Sequence, residues 1–303
     1  MSAVEDAAAL SIDAAGRQVT ITTPGRVLWP DIGFTKRDLA AYYVEVAEVL
    51  VPHLADRPVT LKRAPEGTTR PWWYQTECPS VAPWARTVPV PAAKGERVWN
   101  YCVVDDDATL LWLVNLGCIE FHPLLVRCGD LAAPTSVVFD LDPGPDVGLV
   151  ECCEVALTLR RHLDGCGLTS FVKTSGGVGM HVVVPLSPPT TFDETRSFAR
   201  GIAEQLVAET SGRVTDRMAR GDRGGRVFVD WQQNGAYKSI PAPYSVRLMG
   251  VPLVSVPLRW EEVENAGDAG EAALLFVPSR ALQRLSGGGD PWADLWHTDQ
   301  RLS

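Results

Sequence analysis

The segment Ser136-Val-Val-Phe-Asp-Leu-Asp-Pro-Gly144 carries an apolar, β-branched run into two aspartates and then a Pro-Gly stop, which is the pattern of a strand. Side chains two apart on a strand point the same way, so Asp140 and Asp142 project together from the end of a core strand. Two carboxylates side by side repel, and burying either one alone is costly. A divalent cation removes both problems, and hard oxygen ligands suit Mg2+ or Mn2+. A solvated strand end with two unrelated aspartates fits the same residues. A second apolar strand, Arg226-Val-Phe-Val-Asp230, also ends in a carboxylate, which makes Asp230 a candidate third ligand. Between the two lies Lys173-Thr-Ser-Gly-Gly-Val-Gly-Met-His181, followed by Val-Val-Val-Pro. Glycines such as Gly176 and Gly177 let backbone N–H groups approach an anion closely, and Ser175 and His181 can add hydrogen bonds to phosphate. A tight hairpin with a structural histidine is the other reading. Three acidic strand ends plus a phosphate-binding turn suit nucleotidyl transfer assisted by two metal ions, which clamp the attacking and leaving oxygens.

These residues need elements to hold them. Thr35 is a candidate cap for a helix from Lys36 to about Leu54, in which Leu39, Tyr43, Val46 and Leu50 lie near helical spacing. Strands are expected at 18–24, 58–63, 118–122, 170–173 and 181–185. Helices are expected at 108–116, 149–163 and from Thr190 to about Thr210, with a short helix-prone piece at 260–266. Residues 71–91, rich in Pro, Trp and Arg, read as loops with short strands. Strands and helices mix without strict βαβ alternation, which implies an α+β fold with largely antiparallel sheet. The 303 residues are 46% hydrophobic and 21% charged, ordinary globular composition. No apolar run approaches the length of a bilayer span, and residues 1–10 contain Glu5 and Asp6 and no basic stretch, unlike a signal peptide. The seven cysteines are scattered, with no Cys-x2-Cys pairing for zinc, and fit reduced thiols in core positions. A net charge of −9 is awkward for a nucleic-acid binder. Yet Arg213, Arg217, Arg220, Arg223 and Arg226 crowd one stretch before the Asp230 strand. They read as a mobile basic loop contacting phosphate, or as a solvated charged loop.

The order Asp-x-Asp, Ser-Gly-Gly-x-Gly-x-His and strand Asp resembles the archaeo-eukaryotic primase superfamily, and most closely the polymerase domain of bacterial ligase D. Matching stretches are Arg26-Val-Leu-Trp-Pro with Thr35-Lys36, Leu61-Lys-Arg-Ala-Pro-Glu-Gly67, Asn115-Leu-Gly-Cys-Ile-Glu-Phe-His-Pro123, Asp140-Leu-Asp-Pro-Gly144, Asp230-Trp-Gln-Gln-Asn234 and Ala242-Pro-Tyr-Ser-Val-Arg247. They run over roughly residues 18–265. The resemblance implies one primase-polymerase domain over 1–303. Its catalytic core of two mainly antiparallel sheets flanked by helices falls at 131–265, its DNA and phosphate contacts at about 18–130, and a peripheral tail at 266–303. It implies two Mn2+ or Mg2+ ions on Asp140, Asp142 and Asp230. It implies a nucleoside triphosphate (NTP or dNTP) seated by His122, Ser175, Gly176, Gly177, His181, Gln233, Lys238 and Arg247. Trp73 and Tyr74 match aromatics that stack on a DNA template. Arg26 and Lys36 match two cations that hold a 5′-phosphate at a gap, with Lys62 and Arg63 extending that patch; Arg220 and Arg223, from the basic stretch itself rather than the resemblance, are candidate DNA contacts. Val178 departs from the pattern, which carries Lys or Arg there. The implied activity is template-dependent nucleotide addition at gaps and broken DNA ends in non-homologous end joining. The implied partners are Ku and a separate ATP-dependent ligase, in a cytoplasmic, nucleoid-associated setting with no membrane contact. A non-catalytic DNA-end-binding module and a primase acting de novo are the alternatives.

Overall fold

A computed structural model describes residues 8–79, 82–92 and 97–302. Along the chain the strands and helices are β1 (Leu10–Ala14), β2 (Arg17–Ile21), β3 (Val27–Trp29), β4 (Phe34–Thr35), α1 (Lys36–Leu54), β5 (Val59–Arg63), β6 (Trp73–Gln75), β7 (Thr87–Pro91), β8 (Val98–Cys102), α2 (Asp107–Asn115) and β9 (Cys118–Pro123). There follow β10 (Val126–Arg127), β11 (Asp130–Pro134), β12 (Ser136–Pro143), α3 (Leu149–Gly165), β13 (Phe171–Thr174), β14 (Met180–Pro185), α4 (Phe192–Glu209), β15 (Val214–Thr215) and β16 (Val227–Asp230). The last are β17 (Val246–Leu248), β18 (Pro252–Val254), β19 (Pro257–Leu258), α5 (Trp260–Glu264), α6 (Ala266–Ala269) and α7 (Pro278–Gly288). Among the described residues no helix is long and apolar enough to cross a membrane.

The chain forms two compact units, neither continuous in sequence. The first comprises residues 1–124, 240–253 and 277–287; the second comprises 125–239, 254–276 and 288–303. The first holds a five-stranded antiparallel sheet, β6-β5-β8-β7 with β9 also on β5. Helices α1 and α2 pack on β9 and on each other. Helix α1 starts where Thr35 and Asp38 cap it reciprocally: the Asp38 N–H donates to Thr35 Oγ1 and the Thr35 N–H to Asp38 Oδ2.

The second unit is built on a six-stranded sheet, β15-β16-β12-β14-β13-β19, antiparallel except for the β15–β16 pair. Residues Ser136–Phe139 of β12 are all buried, and α3 and α4 both pack against this strand. A strand covered on both faces reads as an unbroken apolar run rather than an alternating one. Helix α4 begins at Phe192, two residues later than the sequence implies, because Thr191 rather than Thr190 makes the capping box with Glu194.

Two expectations need correction. Cys78 and Cys102 form a disulfide in the first unit, so the cysteines are not all reduced thiols; Cys118, Cys152 and Cys153 are free and buried, Cys128 is half-buried and Cys166 exposed. The segment after 266 is not peripheral throughout. Trp292 and Leu295 are buried, the Trp292 indole donates to the Val172 carbonyl at 3.0 Å, and the Gln300 amide donates to the Thr169 and Pro185 carbonyls. Together these contacts lash the chain end to β13 and β14.

Candidate active site

The register of the second unit's sheet places four residues in one transverse row: Lys173 opposite His181, His181 opposite Asp140, and Asp140 opposite Asp230. Directly opposed residues share a face of the sheet. Lys173, fully buried, brings Nζ to 2.7 Å from His181 Nδ1 and 2.6 Å from Ser255 Oγ. The Ser255 hydroxyl donates onward to the Thr174 carbonyl. An ammonium only donates, so His181 Nδ1 accepts, its proton resides on Nε2, and that N–H faces Asp140 Oδ1 at 3.2 Å. The other Asp140 oxygen accepts from the Gln233 amide at 3.2 Å. Burial would raise the Asp140 carboxyl, but His181, Gln233 and the Lys173 charge outweigh it and hold it below the usual range. Asp230 goes the other way: burial, with the Asp140 charge opposite, pushes it up. Lys238 and Arg223 oppose that rise weakly, which sets both cations near Asp230. Gln233 reaches Asp140 because of its neighbour. The buried Asn234 amide donates to the Val138 carbonyl and accepts from the Val138 N–H, each at 2.7 Å, taking the place of a strand residue beside β12.

Asp142 lies two residues along β12 from Asp140. The glycine turn closes against it. The Ser175 N–H donates to the Gly179 carbonyl and the Gly179 N–H to Ser175 Oγ. A Cβ on Gly179 would stand 2.4 Å from the Leu141 carbonyl oxygen and 3.3 Å from Asp142 Oδ1, so only glycine lets the turn lie so near the acidic strand end. Val178, 63% exposed at the tip, lines a cleft of about 490 Å3 with Gly177, Asp146, Glu151 and Glu271. Lys173 cannot stand in for the cation missing at 178, being committed to His181. The arginine stretch is pinned rather than loose: the Gly144 N–H donates to the Arg226 carbonyl and the Gly225 N–H to the Pro145 carbonyl. Arg223 stacks 3.7 Å over Phe228 and donates to the Met218 carbonyl, while Arg220 stays exposed.

The donor set Asp140, Asp142 and Asp230 fits a hard divalent cation by chemistry and by sharing a strand end. Among the described residues, however, no three such side chains converge tightly enough to hold one; the two Asp140 oxygens face His181 and Gln233.

The first unit gathers a second polar cluster around Glu120, which is fully buried. Its carboxylate accepts from Lys62 Nζ, His122 Nε2, Arg247 Nε and the Leu248 N–H, each at 2.8 Å. Burial would raise this carboxyl, but the His122 hydrogen bond, the Arg247 charge and the Lys62 hydrogen bond drive it well below the usual range. Burial, with Arg247 and Lys62 adjacent, lowers His122. Lys62 thus belongs with His122 and Arg247 rather than with the Arg26–Lys36 pair, and its ammonium stands 4.4 Å over the Trp72 ring. Strand alternation parts the two aromatics. Tyr74 is opposite Lys62 and edge-on to His122 at 5.7 Å, whereas Trp73 is opposite Arg63, whose guanidinium stands 5.4 Å over the Trp73 ring. Arg63 also donates to the Leu116 carbonyl and Gln75. Lys36 is buried, with Nζ donating to the Thr22 carbonyl at 2.9 Å and Asn115 Oδ1 at 2.8 Å. Burial and the nearby Arg26 charge lower it to about 8. Arg26 pairs with Glu66. Sequence reasoning missed Glu120 and the role of Lys173. A carboxylate between Ile119 and Phe121 signals a buried, paired acid, and a hairpin folded about Gly177 puts Lys173 opposite His181.

Residues 35–292 match the family model described as LigD, primase-polymerase domain, which reaches past residue 265. The chain is 36% identical over 281 residues to the multifunctional non-homologous end joining protein LigD of Mycolicibacterium smegmatis, covering 92% of this chain and 36% of that protein. It is 30% identical over 284 residues to the bifunctional non-homologous end joining protein LigD of Bacillus subtilis, covering 93% of this chain and 45% of the relative. The chain thus spans less than half the length of these relatives. Its fold matches the polymerase domain of Mycobacterium tuberculosis ligase D, solved in complex with DNA, with a TM-score of 0.85 and 33% identity over 92% of this chain and 98% of that one. The mixed α+β architecture, the acidic strand ends and the family match lead to one conclusion: the chain belongs to the LigD primase-polymerase domain family.

Proposed function

We propose that the protein is a template-dependent nucleotidyltransferase that extends DNA ends and fills gaps in bacterial non-homologous end joining. The observation that carries this reading is the row Lys173–His181–Asp140–Asp230, with Asp142 beside a glycine turn. Asp140, Asp142 and Asp230 would hold two Mn2+ or Mg2+ ions. When bound, such ions offset triphosphate charge and favour the 3′-hydroxylate nucleophile. The protein's own groups have separate tasks. His181 and Gln233 orient Asp140; Ser175 and the turn N–H groups, with Lys238, face phosphate; His122, Lys62 and Arg247 contact the nucleotide. Trp73 and Tyr74 are exposed rings available for base stacking, which contributes on the order of 1–3 kcal/mol per base. Arg26 and Lys36 are proposed to bind a downstream 5′-phosphate, and Arg220 and Arg223 to contact the DNA backbone. The relatives' role in end joining makes Ku and a DNA ligase the expected partners, in the cytoplasm at the nucleoid.

The exposed Val178 favours one second reading, an end-binding module with weak nucleotide affinity. Extension of a gapped substrate with NTPs or dNTPs and Mn2+ or Mg2+, with the primer present and omitted, separates these. Primer-dependent addition abolished by Asp140→Ala supports the polymerase. Binding without addition leaves the module, and products without primer indicate a primase.

A further inference from the structure

We propose that Glu120 is a positioning residue that fixes which atoms of His122 and Arg247 are offered to the nucleotide. This deepens the polymerase reading and rests on it. An ionised carboxylate only accepts hydrogen bonds. Because Glu120 Oε2 lies 2.8 Å from His122 Nε2, the proton of His122 is on Nε2 and its Nδ1 is an acceptor. Arg247 is anchored to the same oxygen through Nε at 2.8 Å, so the direction of its terminal nitrogens is set by Glu120. Oε1 takes Lys62 Nζ and the Leu248 N–H, each at 2.8 Å, which ties the β17 backbone, and with it Arg247, to β9. One negative charge against Lys62 and Arg247 leaves a positive surplus, as a triphosphate requires.

The arrangement demands a carboxylate, since an amide has one accepting end. In Glu120→Gln, an NH2 at the Oε2 position would face His122 and Arg247; at the Oε1 position it would face Lys62 and the Leu248 N–H. Arg, Lys and a backbone N–H cannot turn into acceptors. Only His122 can adapt, by moving its proton to Nδ1.

The test uses the full chain. Nitrogen-15 spectra of labelled histidine, with His122 identified by its loss in His122→Asn, should show the Nε2–H form in the unmodified protein. Glu120→Gln should raise the KM for ATP in primer extension by about tenfold or more, the loss of one charge-assisted hydrogen bond, while affinity for the primed duplex at fixed salt stays unchanged. Arg247→Lys keeps the charge but loses the Nε–H, so it should show the same loss. The double variant should be no worse than either single, because the two act as one unit. An Nδ1–H form in the unmodified protein, an unchanged KM in Glu120→Gln, or additive losses would overturn the proposal. Should Glu120→Gln not fold, the tautomer and Arg247→Lys still decide. Should the unmodified protein add no nucleotide, the polymerase reading fails by itself, and equilibrium binding of Mg2+–ATP to the same variants replaces the KM.

Discussion

The acidic strand end concentrates opposite demands on two residues that face each other. Asp140 is held ionised by His181 and Gln233, while burial and the Asp140 charge raise Asp230. A carboxyl raised by folding adds stability only at low pH and loses it as pH climbs through its folded value. Metal-free Asp230→Asn should therefore melt above the unmodified protein at neutral pH. The gap should close near pH 4, the ordinary aspartate range, and Mn2+ should raise the melting temperature of the unmodified protein but not of the variant. Calorimetry at several pH values checks this, and a variant that melts lower throughout would remove the repulsion argument. Lys36 supplies a second pH-dependent case. Lowered to about 8 by burial and the Arg26 charge, it is charged below that pH, so a 5′-phosphate dianion held there, as proposed, would bind with no proton uptake. Above pH 8 the proposed binding would have to take up a proton and would weaken. Preference for 5′-phosphorylated over 5′-hydroxyl gapped DNA should be greatest below pH 8 and decline above it, as fluorescence anisotropy at constant salt would show. A flat preference across that range would sink the Lys36 role. The aspartates were legible as letters because carboxylates closing an apolar strand have few uses. For Glu120 the flanking Ile119 and Phe121 signal burial, but not what pairs with it, since Lys62 and Arg247 lie 58 and 127 residues away.

At the level of elements, the glycine turn is the part most open to manipulation. Its tip carries Val178, beside a cleft bordered by Asp146, Glu151 and Glu271, and the nearest lysine in sequence is buried under His181. Val178→Lys should lower the KM for the nucleotide by about tenfold if triphosphate lies at the tip, as one charge-assisted hydrogen bond would give. Steady-state kinetics that show no change would mean the turn holds phosphate through N–H groups and Ser175 alone. Helix α1, strand β12 and both sides of the 175–179 turn could be read from the sequence because local signals decide them: the Thr35 cap, the Pro143-Gly144 stop, the glycine cluster. The β12–Asn234 clamp could not, since a side chain imitating a strand leaves no periodicity. Nor could Trp292, whose burial depends on reaching the Val172 carbonyl 120 residues away.

For the molecule as a whole, the net charge of −9 confines nucleic-acid attraction to local basic groups, and the Cys78–Cys102 bridge adds a constraint the composition does not announce. It closes 24 residues of chain in the first unit, and in the chain-entropy view a loop of that size contributes roughly 3 kcal/mol by restricting the unfolded state. Treatment with a strong reductant should lower the urea midpoint, whereas Cys78→Ser/Cys102→Ser should be insensitive to it; equal midpoints with and without reductant would show the thiols unpaired in solution. The division into two units carries a consequence for heredity. The chain passes from one unit to the other at 124/125, 239/240, 253/254, 276/277 and 287/288. A crossover or a gene break inside that span hands each daughter sequence parts of both cores and the whole of neither. Any transfer of this fold among longer proteins, such as the relatives of which the chain spans 36% and 45%, would therefore have to carry it whole, since a break within that span leaves neither core complete.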